Sequence, residues 1–240
     1  MPYCPNCGKE IQDDYTVCPD CGERLKTPEG ERSTRPVEVS AVGHLNMAWR
    51  IASAQPMVFA PALLGGVISS IIDNLGGTPF YQTGFSPLHL IAGLISLVGS
   101  IAVYILNFAS IDMARDAYTE KPLDLGQSMS YVVSRIVTFI GASILSVLLS
   151  ITIILIPVAV MLSVIVVMDE TGVMIAAGRA FNVLITDLGD IIVILLLSIV
   201  GYALLGWVPF LGGLLTAALG VVISLAFIDV YYQYRRKVNL

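Results

Sequence analysis

One uncharged stretch of the chain constrains its fold more than any other feature. It runs from Ile136 to Met168, 33 residues with one proline, Pro157. A straight helix of that length would measure about 50 Å, whereas the hydrocarbon core of a bilayer is about 30 Å thick and is crossed by about 20 residues. Proline disfavours a helical residue before it and cannot donate a backbone hydrogen bond. The stretch therefore predicts two antiparallel spans that turn at Ile156 and Pro157.

The rest of the chain has the composition of a membrane protein. Hydrophobic residues make up 56% of the sequence and charged residues 13%, whereas about a quarter of the residues in soluble proteins are charged. From Pro56 onward, long uncharged runs alternate with short polar clusters, and no segment shows the alternation of a β-barrel strand. We expect an all-α membrane protein with a six-helix transmembrane bundle.

All four cysteines lie near the N-terminus, in the segment YCPNCGKEIQDDYTVCPDCGERL. Cys4 and Cys7 form one Cys-x2-Cys pair, and Cys18 and Cys21 form the other. Four thiolates at this double spacing supply a closed tetrahedral site for a structural Zn²⁺, with no open position for a substrate. Two redox pairs would need a thioredoxin-like βαβ context, which is absent. Thiols kept for a metal fit a reducing compartment, so we expect this segment in the cytoplasm.

Residues 3–25 closely resemble the zinc-ribbon domain found at the end of many prokaryotic membrane and regulatory proteins. The resemblance implies that Cys4, Cys7, Cys18 and Cys21 are zinc ligands and that the domain has no catalytic role. Residues 1–26 carry three basic and five acidic side chains, whereas phosphate binding needs a basic face. We therefore expect a protein partner for the ribbon and no nucleic acid.

The predicted organisation has three parts. Residues 1–26 form the zinc ribbon, residues 27–40 a flexible linker, and residues 41–240 a six-span membrane domain. The linker has two prolines, a glycine and mixed charge, without apolar periodicity. The predicted spans are 56–75, 88–111, 136–155, 157–175, 188–206 and 208–230, with Pro209 in the first turn of the last.

The basic residues predict the orientation of the chain. With six spans and a cytoplasmic start, all 13 Lys and Arg residues fall on the inner side. If the chain did not turn at Pro157, Arg179 and the cluster Arg235–Lys237 would lie outside. The positive-inside rule therefore favours a multi-pass protein of the cell membrane with both termini in the cytoplasm.

Short amphipathic helices are predicted before each pair of spans. In residues 41–55, Val42, Leu45, Trp49 and Ala52 share one helical face, which we expect in the membrane interface with Trp49 at headgroup level. Similar patterns occur over 125–136 and 173–184, and Ala48-Trp49 and Ala180-Phe181 occupy similar places. The pattern is consistent with three parallel repeats of an amphipathic helix and a hairpin.

The segments HLNMAWRIASAQPMVFAPALLGG and MDETGVMIAAGRAFNVL support a second resemblance. They are similar to the membrane domain of bacterial glycerophosphoryl diester phosphodiesterases and of related uncharacterised prokaryotic membrane proteins. The likeness extends over most of 44–230. It implies a polytopic membrane domain in which a surface helix precedes a span. The phosphodiesterase catalytic domain of such proteins is separate, and nothing like it occurs in this chain.

Charged residues concentrate at the predicted inner ends of the spans. The carboxylates there are Asp112, Asp169, Glu170, Asp187, Asp190 and Asp229. One interpretation is that they form caps and interfacial pairs with Arg115, Arg135, Arg179 and Arg235. The alternative is an acidic vestibule for a cation. His44 and His89 have no second metal ligand nearby in sequence, and no catalytic motif is present, so we expect no enzymatic activity.

Small residues recur at helical spacing in several spans. One stripe, Ala62, Gly66 and Ser70, follows the first span, and another, Gly212, Thr216, Gly220 and Ser224, follows the sixth. Such stripes allow close helix packing, either within the chain or in a homo-oligomer through the sixth span. Two functions remain open. The chain is a non-enzymatic adaptor, assembly or regulatory protein that presents a zinc ribbon, or a transporter or channel for a small uncharged or cationic solute.

Overall fold

The computed structural model of the protein describes residues 40–76, 87–208 and 211–238, all within the unit Val39–Leu240. In these ranges every regular element is helical. The helices are α1 (Ala41–Ala54), α2 (Ala60–Gly76), α3 (Pro87–Tyr118), α4 (Leu125–Ser134), α5 (Ile136–Ser150), α6 (Ile156–Asp169), α7 (Val173–Thr186), α8 (Leu188–Gly206) and α9 (Gly212–Lys237). Short 3-10 turns, Pro56–Phe59 and Ile153–Leu155, precede α2 and α6.

The helices follow each other in three similar units. Each unit has an amphipathic helix (α1, α4 or α7), an outgoing helix (α2, α5 or α8) and a return helix (α3, α6 or α9). The chain bends by 102° after α1 and by 76° after α4. The residues at the three bends, Gln55, Arg135 and Asp187, have similar φ angles of −130°, −116° and −123°. The order of elements agrees with the three predicted repeats.

Side-chain caps fix the start of two amphipathic helices. Ser40 precedes α1 and accepts a hydrogen bond from the backbone N–H of Gly43 at 3.2 Å. Asp124 precedes α4 and accepts one from the N–H of Gln127 at 3.1 Å. Both are N-cap residues in extended conformation, which satisfy an N–H that the helix itself leaves free.

Each return helix packs against the amphipathic helix that follows it. The pairs are α3 with α4, α6 with α7, and α9 with α1, so the last unit closes onto the first. Buried residues dominate α6 and the second half of α9. A helix that is apolar on all sides is a buried helix. Helix α6, the second half of the uncharged stretch, therefore lies in the interior of the bundle, whereas α5 is largely exposed.

The turn between α5 and α6 differs from its predicted position. Helix α5 ends at Ser150, and the chain reverses over 151–155 rather than at Ile156 and Pro157. Pro157 lies in the first turn of α6, where its missing N–H costs no intrahelical bond. Helix α6 does not continue to residue 175. It ends at Asp169 because Glu170 takes a left-handed conformation with φ of 53°.

Two other helices extend beyond the predicted spans. Helix α3 continues past residue 111 to Tyr118, and α9 runs from Gly212 to Lys237 rather than over 208–230. Pro209 lies outside the described residues, and α9 begins after it. Helix α8 has the bounds of the fifth predicted span. The predicted spans end where the apolar pattern ends, whereas α3 and α9 continue as helices through the polar residues that follow.

The described helices are apolar enough for a membrane protein. Three of them, Ile91–Tyr118, Leu188–Gly206 and Gly212–Lys237, are long and apolar enough to cross a bilayer, and the count rises to five if each bent pair is one span. Helix α6 has 14 residues, about 21 Å, and is shorter than the hydrocarbon core. The six-span bundle is therefore not confirmed.

Helix α1 buries a different face from the predicted one. In α1, Ala48 and Ala52 are fully buried, whereas Val42 and Trp49 are 67% and 60% exposed. Ala52 therefore does not share an outer face with Trp49. Val133 in α4 and Phe181 in α7 occupy the position of Trp49 in their units, and both are exposed. An apolar residue at this place in all three units suits contact with lipid.

Candidate functional site

Three buried aspartates lie at corresponding places on the return helices. Asp112, Asp169 and Asp229 are each preceded by a large apolar residue, and their side chains are 3%, 3% and 5% exposed. They lie at the same end of the bundle, which we call the charged end and define by these three residues. A buried carboxylate is costly unless it is paired and hydrogen-bonded. The partners of each therefore decide what this end can do.

Asp229 joins three helices. Its Oδ2 lies 2.7 Å from Nδ1 of His44 on α1, and its Oδ1 accepts a hydrogen bond from the Tyr118 hydroxyl of α3 at 2.5 Å. Gln233, one turn further along α9, donates to Oδ2 at 3.3 Å. His44 is only 2% exposed, and its Nε2 lies 4.0 Å from Asp190. The carboxylate thus connects the first amphipathic helix to the last return helix.

Asp169 holds the end of α6 to two other helices. It accepts hydrogen bonds from Arg179 of α7 and from the Tyr231 hydroxyl of α9. Its other oxygen lies 3.3 Å from Nη1 of Arg235. The hydrogen bond to Asp169 raises the pKa of Arg179 above its ordinary value, so the guanidinium keeps its charge. This pair corresponds to Asp229 and His44, because each links a return helix to the next amphipathic helix.

Asp112 pairs with an arginine of its own helix. Nη2 of Arg115 lies 2.6 Å from Oδ1 of Asp112 and 3.3 Å from Asp116. Within the described residues that Oδ1 has no partner of good hydrogen-bond geometry, so the contact with Arg115 is an ion pair. Ser128 of α4, which is 1% exposed, reaches the Asp112 carboxylate. A return helix again meets the next amphipathic helix through its aspartate.

The carbonyls at the end of α6 are satisfied by side chains from other helices. Arg115 and the Tyr131 hydroxyl donate to the carbonyl of Val167 at 3.0 and 3.3 Å. Arg135, at the bend between α4 and α5, donates to the carbonyl of Glu170 at 2.6 Å. The last carbonyls of a helix have no intrahelical partner and carry partial negative charge, so arginine suits them. These contacts explain why α6 ends at this level.

Lys237 and Asp187 form a further ion pair. It connects the last turn of α9 to the bend between α7 and α8. The Asp187 side chain is 10% exposed and the Lys237 side chain 47%. Water screens this contact more than the contacts of Asp229 and Asp169. Paired charges therefore continue to the outer rim of the charged end.

The predicted pairing of aspartates with arginines is present at Asp112 and Asp169. Among residues 40–76, 87–208 and 211–238, no group of three or more His, Cys, Asp and Glu side chains could hold a metal ion. The contacts of His44 were missed by the sequence analysis, because Asp229 and Asp190 are its neighbours only in the folded chain. One signal could have indicated these contacts. When the three units are aligned, His44 takes the same position as Ser128, the residue through which α4 reaches the aspartate of a return helix.

A cavity of about 620 Å³ lies between helices α2, α3, α8 and α9. Its wall contains the small residues of the two stripes except Gly212, including Gly66 on α2 and Gly220 on α9, together with hydroxyl and amide side chains. The predicted role of these stripes was close packing. They pack closely at some points, since a Cβ on Gly66 would lie 3.5 Å from the Cβ of Ala217, and they leave open space at others. An oligomer through the sixth span stays a prediction.

The predicted zinc ligands lie outside the described residues. Residues 3–25 match a family model of the zinc-ribbon domain, which confirms this domain at the N-terminus. No curated protein matches the chain, and no solved structure matches it. The resemblance of 44–230 to the membrane domain of glycerophosphoryl diester phosphodiesterases has no support from these comparisons and stays a prediction. The chain therefore combines a zinc-ribbon domain with apolar helices that indicate a membrane protein.

Proposed function

We propose that the protein is a non-enzymatic, multi-pass protein of the cell membrane that presents a cytoplasmic zinc ribbon to a protein partner. The zinc-ribbon match over residues 3–25 carries this proposal, because such a domain is a compact binding module without a catalytic centre. Cys4, Cys7, Cys18 and Cys21 are the proposed ligands of one Zn²⁺. The excess of acidic residues in 1–26 favours a protein surface over nucleic acid.

The charged end supports a structural role for the bundle. Asp229, Asp169 and Asp112 contact residues of neighbouring helices in all three units. Carboxylates paired in this way hold helices together and are not free to transfer protons or to bind cations. The bundle then serves as a rigid anchor, and the N-terminal domain supplies the contact with the partner.

Affinity capture from native membranes tests the adaptor function. The full-length chain, a chain without residues 1–40 and a Cys7→Ser variant are each purified with their associated proteins. Asn6→Ser is the matched control, because Asn6 lies between Cys4 and Cys7 and is not a proposed ligand. We expect a partner that is retained by the full-length chain and by Asn6→Ser and is lost from the other two. Identical sets of captured proteins in all four samples would contradict the adaptor function.

Metal analysis of the same samples tests the zinc site. We expect one Zn²⁺ per full-length chain, a loss of zinc in Cys7→Ser, and an inserted bundle in both. Less than about half an equivalent of zinc in chelator-free protein would contradict the assignment, because four thiolates bind structural zinc tightly.

Cysteine labelling tests the proposed orientation. The turn over 151–155 should face the outside and the α3–α4 loop the cytoplasm, since the basic residues all fall on the inner side. Pro157 is buried in the structure, whereas Thr152 and Lys121 are exposed. In a chain without native cysteines, an impermeant reagent should label Thr152→Cys from outside and should not label Lys121→Cys. The reverse pattern would invert the topology.

The cavity favours one version of the alternative function. Its lining contains no charged side chain, so passage of a small uncharged solute is the second candidate and passage of a cation is disfavoured. A flux assay in reconstituted vesicles separates the two functions. Flux of an uncharged solute that persists without residues 1–40 would favour transport over the adaptor function.

A further inference from the structure

Polar side chains in the cavity lack partners that comparable side chains elsewhere have. On α3, Ser100 donates to the carbonyl of Ser96 at 2.7 Å, and on α8, Ser198 donates to that of Ile194 at 2.6 Å. Ser110 of α3 faces the cavity and is only 7% exposed, yet within the described part of the chain its hydroxyl forms no hydrogen bond. Helical serines usually satisfy their hydroxyl through the carbonyl four residues back. Ser110 is therefore free to bind something in the cavity.

Other groups around the cavity share this property. Asn107 lies one turn before Ser110 on α3, and Ser224 faces them from α9. Ser69 on α2 and Tyr202 on α8 add two more hydroxyls to the wall. Within the residues that the structure describes, none of these four side chains has a hydrogen-bond partner either. Unpaired polar groups in a membrane helix are costly, and such groups mark ligand or solute sites.

The lining defines the chemistry of the ligand. It contains no Asp, Glu, Lys, Arg or His, so an ionic group would lose its hydration without a counter-charge. An amide, a phenol and several hydroxyls both donate and accept hydrogen bonds. The complementary ligand also donates and accepts and is uncharged, which describes alcohol groups. The apolar parts of the wall, Val103, Ile111 and Val221, suit carbon atoms that carry those groups.

The cavity has the size and position of a binding site. From Gly213 to Ser224 it extends along α9 for about 16 Å at 1.5 Å per residue. Its volume lies within the range of about 300–1,000 Å³ that is typical of ligand sites. Small residues keep it open, since a Cβ on Gly213 would approach only the Ser70 hydroxyl, at 3.6 Å.

We propose that the cavity between α2, α3, α8 and α9 binds an uncharged ligand that carries several hydroxyl groups, through Asn107, Ser110 and Ser224. Two sources supply this chemistry, a free polyol from the aqueous phase and a lipid with an uncharged glycerol headgroup. The proposal goes beyond the adaptor function, because it assigns a ligand to the membrane domain and does not involve the ribbon.

The test uses full-length protein in phosphatidylcholine nanodiscs with glycerol and monooleoylglycerol, which keeps two free hydroxyls, as separate probes. Saturable binding of glycerol assigns a free polyol, and binding of monooleoylglycerol, with a photoreactive analogue cross-linked to α3 or α9, assigns a lipid. A protein that binds neither probe overturns the proposal. Zinc content and partner capture on the same preparation report separately on the proposed function.

Substitutions locate the binding. A hydrogen bond contributes about 1 kcal/mol, or about fivefold in affinity, so the triple variant Asn107→Leu, Ser110→Ala, Ser224→Ala should bind about 100-fold more weakly. Ser100→Ala is the matched control, because Ser100 lies outside the cavity lining, and its affinity should equal that of the wild type. If the triple variant does not fold, Ser110→Ala alone should weaken binding about fivefold. Unchanged affinity in the folded variants overturns the proposal.

Discussion

The charged end and the cavity are two polar regions of one apolar bundle, and they differ in whether their polar side chains have partners. At the charged end, carboxylates, arginines, tyrosines and His44 contact one another across helices. In the cavity, Asn107 and Ser110 face open space without a partner among the described residues. A polar group that is already paired contributes to stability, whereas an unpaired one has hydrogen-bonding capacity left for a ligand. The difference separates the structural part of the bundle from the part that can bind.

The comparison predicts the largest loss of stability at Asp229. Asp229→Ala leaves His44, Tyr118 and Gln233 without their common acceptor. Breaking a buried, hydrogen-bonded pair costs about 3–5 kcal/mol, and we expect a loss of this size in the free energy of unfolding. Denaturation in mixed detergent micelles, followed by helical circular dichroism, measures it.

Asp190→Ala is the control for this variant. Asp190 is 26% exposed and lies 4.0 Å from His44, so its removal should cost no more than about 1 kcal/mol. Equal losses in the two variants would show that Asp229 is not the centre of the cluster.

The second prediction compares adjacent glycines at the start of α9. A Cβ on Gly212 would lie 2.8 Å from the backbone oxygen of Gly206, whereas one on Gly213, in the cavity wall, would meet only the Ser70 hydroxyl at 3.6 Å. Backbone cannot move aside as a flexible side chain does. Gly212→Ala should therefore destabilise the protein by about 1–3 kcal/mol. Gly213→Ala should be neutral or slightly stabilising, because alanine favours the helix.

The same denaturation assay checks the pair of glycine variants. A Gly213→Ala variant as unstable as Gly212→Ala would mean that the helices close over the cavity. That outcome would remove the open space on which the comparison depends.

The third prediction concerns the exposed side of the charged end. Arg179 is 32% exposed. When Arg179 is removed, Asp169 keeps Tyr231 and Arg235 as partners. Arg179→Ala should therefore reduce the free energy of unfolding by only about 1 kcal/mol. Arg50→Ala, on the exposed face of α1, should have no effect. A loss in Arg179→Ala as large as that in Asp229→Ala would show that Asp169 depends on Arg179 alone.

The sequence predicts local features of this fold better than the distances between helices. Apolar runs and prolines predict the hairpins, and the concentration of charges at the inner ends of the spans predicts that aspartates pair with arginines there, without saying which aspartate meets which arginine. The contact between His44 and Asp229 joins residues 185 positions apart, and no local pattern indicates it. The stripe through Gly212 and Ser224 predicts close packing, yet spacing along one helix does not determine how far away its neighbour lies. The cavity is therefore visible only in the structure.

The smallest predicted effect is also the most direct comparison, because it makes the same substitution in both regions. Ser128 at the charged end is 1% exposed and reaches Asp112, whereas Ser110 in the cavity is similarly buried without a partner among the described residues. Ser128→Ala should cost about 1 kcal/mol, the net contribution of a hydrogen bond. Ser110→Ala should leave the ligand-free protein unchanged or slightly more stable, because among the described residues the Ser110 hydroxyl has no hydrogen-bond partner to lose. When the cavity ligand is added, Ser110→Ala should become less stable than the wild type, since bound ligand stabilises the wild type more than the variant. Equal effects of the two substitutions, with and without ligand, would mean that Ser110 has a structural partner and that the two regions do not differ.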